Sequence, residues 1–296
     1  MADASEDRRA TLRMGPEGLD IEVVEARMQQ ALRERDLRAR ISGIVYPVVT
    51  VVLLVVVWEL TVRLLRVPEF LVPAPTRVAA KVLEHMSLLI RNGWVTAKEI
   101  LLGYLLSIAV GIPLALAIFL SPVFARSVYP LLVSSQAVPK TAIAPLFVIW
   151  FGFGLAPKVL VAFLIAFFAI VINTVVGLGS VQAEKIYLAR SMGLGPLATF
   201  LKIRLPQALP AIFGGLKVAI TLAVVGAVVG EFVGADSGLG YLLLVANGNL
   251  DSPLLFAGFG ALTVIGAGLF LLIEFVEWLA IPWHTSQRHT EAHESL

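Results

Sequence analysis

Three ionisable side chains lie inside or at the ends of strongly apolar segments, where they could exchange protons or bind ions. They are Glu59, Lys140 and Glu231. A charged group at the centre of a bilayer costs roughly 3 kcal/mol on insertion scales, so such residues often mark paths for ions or solutes. Titration of these groups is the chemistry of an ion-driven secondary transporter, which is one interpretation of the chain.

A polar, proline-containing stretch surrounds one of these residues. Lys140 follows Pro139, and Ser135 and Gln136 precede them. Because proline removes a backbone donor, the helix should break here, and a broken polar helix suits the wall of a water-filled path. A cation in such a path would favour anions. The alternative is that Lys140 bonds a carbonyl or a carboxylate of the helix bundle.

The remaining polar residues of the apolar segments also have structural interpretations. Glu59 precedes Arg63 by four positions, the favourable order for a neutralising pair on one helix. Asn173 is either an interhelical hydrogen-bonding group or part of a path. Glu231 closes an apolar segment, where it lines the path or is exposed at the membrane interface. The candidate path residues are therefore Ser135, Gln136, Pro139, Lys140, Asn173 and Glu231.

The other side chains form no catalytic or cofactor-binding set. Cysteine is absent, which excludes disulfides, thiolate metal sites and cysteine nucleophiles. His289 and His293 have helical spacing but are interpreted as part of a solvated tail, with metal binding as the alternative. No Gly-x-x-x-x-Gly-Lys-Ser/Thr loop occurs, so the chain is not expected to hydrolyse ATP itself. We predict no catalytic residue, no metal and no cofactor in this chain.

Membrane-spanning helices are the elements that must position these residues. Hydrophobic residues make up 58% of the 296 positions, only 15% are charged, and the mean hydropathy is +0.88. A soluble core cannot bury that much apolar surface. Apolar runs of about 20 residues, the length that crosses a bilayer, predict six spans. They are Ile44–Leu65, Ile100–Leu120, Val128–Phe151, Val159–Leu178, Ala211–Val233 and Leu254–Ile281.

The distribution of basic residues predicts the orientation of these spans. Two basic clusters lie before the first span and between the fourth and fifth; they are Arg27, Arg33, Arg35, Arg38 and Arg40, and Lys185, Arg190, Lys202 and Arg204. Both clusters, and hence both termini, are expected to be cytoplasmic. The net charge of +2 is too small to suggest a nucleic acid partner. We divide the chain into a cytoplasmic arm (1–43), a first span with an outer connection (44–99), a core (100–281) and a cytoplasmic tail (282–296).

Glycines recur in the later spans and predict close helix packing. Gly226 and Gly230 form a small-xxx-small pair, and Gly214 and Gly215 precede them in the same span. Small residues allow membrane helices to approach closely, so this span should pack against other helices.

The loop at 180–210 is the most informative polar segment. Glu184 to Met192 is predicted to form a short helix, and Gly193 and Gly195 permit a sharp turn. A second helix should begin at Pro196 and run to about Arg204, and Pro206 and Pro210 are expected to end it. Such a compact cytoplasmic knob can enter a groove on a soluble protein. The alternative is a basic loop that binds phospholipid headgroups.

This loop resembles the signature known as EAA in membrane subunits of binding-protein-dependent ABC importers. Gly193, Ile203, Leu205 and Pro206 match its spacing. Tyr187 and Leu188 replace its leading Glu and Ala, and only Ala189 remains. The acidic contact to the ATPase is then either missing or supplied by Glu184. The residues that the resemblance assigns to ATPase coupling are Glu184, Tyr187, Ala189, Arg190, Ser191, Met192, Gly193, Leu194, Ile203, Leu205 and Pro206.

Other segments are similar to the nitrate, sulfonate, taurine and bicarbonate branch of the same family. They are Trp58-Glu59, Phe70 to Pro75, Pro139-Lys140, Ala144 to Leu146, Trp150 to Gly152, Gly230-Glu231 and Gly238 to Tyr241. The resemblance implies an all-α membrane protein of six transmembrane helices, like the permeases of type I ABC importers, with a cytoplasmic coupling loop between spans four and five.

The same resemblance implies partners and a location. Two copies of the chain would form the path in a bacterial inner membrane, and two cytoplasmic ATPase subunits, which hold ATP and Mg²⁺, would grip the coupling loops. An extracytoplasmic binding protein would deliver the solute. A small anion is the favoured solute, because this branch of the family transports such anions and because Lys140 is positively charged. Aromatic vitamin precursors or riboflavin-like solutes are the alternative.

Overall fold

The computed structural model describes residues 45–284, which are helical with connecting turns and contain no β-strand. The predicted amphipathic arm and the pair His289 and His293 lie outside the described residues. The helices are α1 (Val45–Leu64), α2 (Pro75–Glu84), α3 (Met86–Leu120), α4 (Pro122–Ser135), α5 (Ala144–Phe151), α6 (Leu155–Gly179), α7 (Ala183–Ser191), α8 (Pro196–Thr199), α9 (Leu205–Gly234), α10 (Leu239–Gly248) and α11 (Ser252–Ala280). Short 3₁₀ segments precede α5 and follow α11, at Lys140–Ile143 and Pro282–His284.

Helix α1 belongs to a compact unit of its own, which ends at Val67. It has 20 residues and a mean hydropathy of 2.2, so its length and composition fit a membrane span. Arg63 Nη2 lies 2.5 Å from Glu59 Oε1, which confirms the predicted pair. The negative charge of Glu59 is therefore balanced on its own helix.

Five helices among residues 45–284 are long and apolar enough to cross a membrane: α1, α3, α6, α11 and the continuous helix Pro196–Gly234. Helix α4 and Lys140–Phe151, which are bent by 85° relative to each other, are apolar enough as a pair and give a sixth span when they are counted as one. The all-α fold is thus confirmed, with five spans, or six when the bent pair counts as one, and the predicted third span is the broken one.

The break in the third span lies where Pro139 predicts it. Helix α4 ends at Ser135, and Pro139 is extended, with φ −67° and ψ 99°. The residue before a proline is pushed out of the helical region, and proline offers no N–H to continue the ladder. The chain then restarts through the 3₁₀ turn that contains Lys140.

Helix α3 is longer than the apolar run that predicts it. Helix α3 begins at Met86 rather than near Ile100, because Asn92, Thr96 and Glu99 are buried in the bundle and find polar partners there. A span predicted from hydropathy ends at such polar residues, whereas a helix continues through them when their polar atoms are hydrogen-bonded.

The expectation that Pro206 and Pro210 end the helix after Pro196 is wrong. Residues Pro196–Gly234 form one helix of 39 residues. Pro206 lies in the first turn of α9, directly after a π-helical segment at Phe200–Arg204, and Pro210 lies inside α9. The wider π turn changes the hydrogen-bonding register just where proline cannot donate, so the helix passes through both prolines.

The core lies where α3, α6 and α9 meet. Ile100, Ala162 and Ile220 are among its fully buried residues. A Cβ on Gly226 would lie 2.6 Å from Ala162 Cα, and one on Gly230 would lie 2.9 Å from Lys158 Cα. The predicted small-residue packing of this pair is therefore confirmed, and it occurs between α9 and α6.

A surface ion pair attaches α2 to the turn between α10 and α11. Lys81 Nζ lies 3.1 Å from Asp251 Oδ2, and Asp251 Oδ1 accepts a hydrogen bond from the Leu254 N–H at the start of α11. The hydrogen bond to Asp251 is the main cause that raises the pKa of Lys81 above its ordinary value of 10.5.

This pair predicts a pH dependence of stability. Because the Lys81 pKa is raised on folding, its contribution is fully present below pH 10.5 and is lost as the pH rises further. We expect Lys81→Met to lower the apparent Tm in detergent by about 2 °C at neutral pH, and by progressively less above pH 10.5. Lys185→Met, at an exposed position of α7, is the control. A deficit that grows with alkaline pH would contradict the assignment.

Candidate coupling surface and buried polar site

Helix α7 and the turn after it form a defined structure rather than an irregular basic loop. Glu184 lies in the first turn of α7 and Arg190 in the last, so both charges complement the helix dipole. At the end of α7, the Leu194 N–H bonds the Ala189 carbonyl at 3.0 Å and the Gly193 N–H bonds the Arg190 carbonyl at 2.9 Å. This hydrogen-bond pair is the Schellman motif, which requires a residue at positive φ.

Gly193 supplies that residue, with φ +79°. A side chain at this position would find open space but would strain the backbone, so glycine is required for conformation and not for packing. Gly195 has φ −70°, which any residue adopts. The sharp turn predicted from two glycines therefore depends on Gly193 alone.

Five large apolar side chains on α7 and the helix after it are exposed. They form the coupling surface: Tyr187, Leu188, Met192, Leu197 and Leu201. Leu188 is 63% exposed and Met192, one turn later, is 71% exposed. Exposed apolar groups of this kind mark contacts with a protein or with lipid.

The other predicted coupling residues differ in exposure. Ala189 is buried, and Leu194, Ile203, Leu205 and Pro206 are half-buried, so they support the surface from beneath; the remaining exposed residues are Glu184, Arg190, Ser191 and Gly193. At the two positions that depart from the signature, Tyr187 and Leu188 present apolar groups outward. Glu184 is the nearest exposed acid on this helix.

The coupling surface is attached to the ends of two spans. Arg204 lies over the Phe119 ring of α3, with its guanidinium carbon 5.0 Å from the ring centroid. These two residues line a small cavity of about 240 Å³ together with Ile186 and Arg190 of α7. The cavity thus lies between α7, the end of α3 and the start of the helix Pro196–Gly234.

The predicted path residues do not form one cluster of polar contacts. Lys140 Nζ lies 4.6 Å above the Phe168 ring of α6, a cation–π contact that sequence reasoning did not anticipate. Ser135 bonds the Leu132 carbonyl of its own helix, and Gln136 and Pro139 are exposed. Asn173 donates to the Ala169 carbonyl at 2.8 Å, within α6, so the expected interhelical hydrogen bond is not formed.

Glu231 is buried rather than exposed at an interface, which corrects that interpretation. Its side chain is part of the cap of α10. The Thr96 hydroxyl donates to Glu231 Oε1 at 2.6 Å, and the Gly240 N–H donates to Glu231 Oε2. Helix α9 ends three residues later, which brings Glu231 to the end of the bundle opposite α7.

The N–H groups of Gly238, Leu239 and Gly240, at the start of α10, donate to side chains of α3 and α9. The Gly238 N–H donates to Asn92 Oδ1 at 2.9 Å, and the Leu239 N–H donates to Thr96 Oγ1 at 2.8 Å. A helix N-terminus needs such acceptors when it is buried. Gly238 has φ +114°, and a Cβ there would lie 2.1 Å from Glu231 Oε1, so only glycine fits.

Sequence reasoning missed two charged residues next to this cap. Lys158 Nζ of α6 lies 2.7 Å from Glu99 Oε1 of α3, and both side chains are buried. The missed signal is the spacing of Asn92, Thr96 and Glu99, which repeats at i, i+4 and i+7 and so places three polar residues on one helix face. In an otherwise apolar helix, such a stripe indicates a buried polar contact.

Comparison with known proteins agrees with this architecture. Residues 107–280 match the family described as binding-protein-dependent transport system inner membrane component. Because the match covers more than half of the chain, the chain belongs to this family, the permease subunits of ABC importers. The family assignment from the coupling-loop motif is confirmed.

Named relatives are similar over most of their length. The formylaminopyrimidine transport permease protein ThiX of Halalkalibacterium halodurans is 37% identical, over 81% of this chain and 96% of its own. The riboflavin transport system permease protein RibX of Chloroflexus aurantiacus is 38% identical, over 80% and 90%. The taurine transport system permease protein TauC of Escherichia coli is 27% identical, over 79% and 88%.

The fold is that of a solved importer. An inward-facing structure of the MetNI methionine ABC transporter contains a chain that superposes with a TM-score of 0.55 at 19% identity, over 67% of this chain and 97% of its own. At that identity the likeness concerns the fold, and it agrees with the type I permease architecture predicted above.

Proposed function

We propose that two copies of this chain form the membrane path of an ATP-driven importer for a nitrogen-containing heteroaromatic solute, such as a pyrimidine or flavin vitamin precursor. Two cytoplasmic ATPase subunits, which hold ATP and Mg²⁺, supply the energy, and an extracytoplasmic binding protein delivers the solute. The coupling residues predicted from the signature act at the ATPase contact. The chain lies in the bacterial inner membrane with both termini in the cytoplasm.

The coupling role is supported by two properties of the coupling surface. Its apolar side chains are exposed, as in a protein contact, yet its backbone is fixed by the Schellman turn at Gly193. It is also joined to α3 through Arg204 and Phe119. An ATPase that grips Leu188 and Met192 can therefore move the bundle instead of deforming a loose loop.

The orientation is supported by the charges of the same segment. Lys185, Arg190, Lys202 and Arg204 lie on α7 or shortly after it. Positive charge near the ends of spans favours the cytoplasmic side. With six spans, both termini of the chain then lie on that side.

The solute class is supported by two observations. The relatives named for formylaminopyrimidine and riboflavin are 37% and 38% identical, whereas the one named for taurine is 27% identical. In addition, Lys140 Nζ already lies over the face of the buried Phe168 ring, so its charge has a partner within the chain and is a weaker argument for an anionic solute. A small sulfonate-like anion is the second candidate, favoured by the positive charge of Lys140 and by the taurine relative.

Uptake into cells that express the complete importer tests this assignment. We expect labelled formylaminopyrimidine or riboflavin to accumulate, and a hundredfold excess of taurine to leave that uptake unchanged. Lys140→Ala should change the KM for the heterocycle less than about fivefold, because such a ring is expected to bind by stacking and not through charge. If the solute is an anion, the same variant should raise its KM by more than about tenfold. Uptake of taurine that the heterocycles do not inhibit would instead select the anion.

The energy source is tested in the same cells. Depletion of ATP should stop uptake, and an uncoupler applied with ATP maintained should not. The opposite pattern would identify an ion-driven secondary transporter and overturn the importer mechanism for this chain. Glu59 is already paired with Arg63, and Glu231 is buried in the cap of α10, so two of the three groups that this alternative needs have structural roles.

A further inference from the structure

Two buried acids and one buried base meet at the start of α10. Glu99 is 0% exposed, Glu231 is 1% exposed and Lys158 is 4% exposed. They come from α3, α9 and α6, so the site joins the three helices of the core. The nearby charged residues Lys98 and Asp236 are exposed and engage other groups, the Trp94 ring and the Ser237 hydroxyl.

The hydrogen bonds of Glu231 require its ionised form. One of its oxygens accepts from the Thr96 hydroxyl, and the other accepts from the Gly240 N–H. The Thr96 hydroxyl has two acceptors in reach, Glu231 Oε1 at 2.6 Å and the Asn92 carbonyl at 3.2 Å, and the shorter contact assigns its proton to Glu231. A carboxylate is an acceptor at both oxygens, so Glu231 fits these donors only without a proton of its own.

The hydrogen bonds of Glu99 leave one oxygen without a donor. Glu99 Oε1 accepts from Lys158 Nζ at 2.7 Å. Glu99 Oε2 is buried and receives no hydrogen bond from any other group in residues 45–284. Thr96, which donates to Glu231, lies one turn before Glu99 on the same face of α3, so the two carboxyl groups face each other at this site. Two carboxylates cannot hydrogen-bond to each other, but a carboxylic acid and a carboxylate can.

The charge of the cluster leads to the same conclusion. With all three groups ionised, two negative charges would face one positive charge in a buried site, and an uncompensated buried charge is strongly destabilising. One added proton makes the cluster neutral and supplies the missing donor. Because both oxygens of Glu231 already accept hydrogen bonds, the position left for the added proton is Glu99 Oε2.

We propose that Glu99 carries a proton on Oε2 and uses it to donate a hydrogen bond to Glu231. The bound proton then completes the cap that holds α10 against the bundle. Glu99 and Lys158 are then positioning residues, which act on α10 through Glu231. This inference does not depend on the solute or on the importer mechanism, because it concerns only the contacts within the chain.

Two isosteric substitutions distinguish the two acids. Glu99→Gln keeps an acceptor for Lys158 and places an N–H donor where the proton is proposed, so we expect the apparent Tm of the full-length protein to change by less than about 2 °C. Glu231→Gln places an N–H group against the Thr96 hydroxyl or the Gly240 N–H, so we expect a fall of about 5 °C or more. Equal losses for the two variants, or a larger loss for Glu99→Gln, would overturn the proposal.

Infrared difference spectra detect the proton directly. Near neutral pH, wild type minus Glu99→Gln should show the C=O band of a carboxylic acid, whereas wild type minus Glu59→Gln should show carboxylate bands only, because Glu59 is paired with Arg63. Carboxylate bands alone in the Glu99→Gln difference would refute the proposal. If a variant does not insert, the wild-type spectrum is sufficient for the test. The proposal requires a carboxylic acid band from a group shielded from solvent exchange, and absence of that band would contradict the proposal.

Discussion

Replacing Gly193 with valine is expected to abolish ATP-driven uptake while the protein still inserts into the membrane. Gly193 has φ +79°, where a β-branched residue is strongly disfavoured. An added Cβ meets nothing within 4 Å, so the substitution changes the backbone of the turn and leaves helix packing intact. The Schellman turn then opens, and Leu188 and Met192 lose their fixed position.

Co-purification of the ATPase subunit measures this effect without knowledge of the solute. We expect at least a tenfold loss of bound ATPase for Gly193→Val, which corresponds to about 1.4 kcal/mol of contact free energy. Gly193→Asn should lose less, because asparagine tolerates positive φ. Gly195→Ala is the matched control, since Gly195 has φ −70° and open space around it, and it should behave as wild type. Undiminished ATPase binding by the valine variant would remove the turn from the coupling mechanism.

Gly226→Val is expected to prevent folding of the bundle. A Cβ at Gly226 would lie 2.6 Å from Ala162 Cα and 3.1 Å from Ala162 N, so it would meet backbone atoms that cannot rotate away. Helices α6 and α9 must then separate along the closest contact of the core. Overpacking against movable side chains already costs about 1–3 kcal/mol, and a rigid backbone should raise that cost.

Gly214→Val on the same helix is the control for this prediction. No atom lies within 4 Å of a Cβ built at Gly214, so the same change of side chain should leave folding intact. Size-exclusion chromatography of a fluorescent fusion, extracted in mild detergent, should give a single peak for the control and aggregate or no protein for Gly226→Val. A monodisperse Gly226→Val protein with unchanged Tm would show that α6 and α9 do not pack in this way.

Features governed by local chemistry were predictable from the sequence. The break at Pro139 follows from a missing N–H, the turn at Gly193 from the need for positive φ, and the contact at Gly226 and Gly230 from residue size. Each of these depends on one residue type at one position. Hydropathy located the spans for the same reason, because it sums a property that every residue carries.

Features governed by partners distant in the sequence were not predictable. The pairing of Glu99 with Lys158 joins residues of α3 and α6, and the cap of α10 draws on Asn92 and Thr96 of α3, more than 140 positions away in the sequence. Each of these residues lies just outside an apolar run, and its type alone does not name a partner on another helix. The sequence did not predict that the helix continues through Pro206, because the π turn that precedes this proline has no clear sequence signal.

The uninterrupted helix from Pro196 to Gly234 has a consequence for how the two ends of the molecule communicate. Its 39 residues extend over about 58 Å of helix. One terminus carries Leu197 and Leu201 of the coupling surface, and the other carries Glu231 beneath α10. Under the proposed function, a force applied at the α7 end can thus reach the opposite end of the bundle along one continuous helix, without crossing a loop that would absorb it.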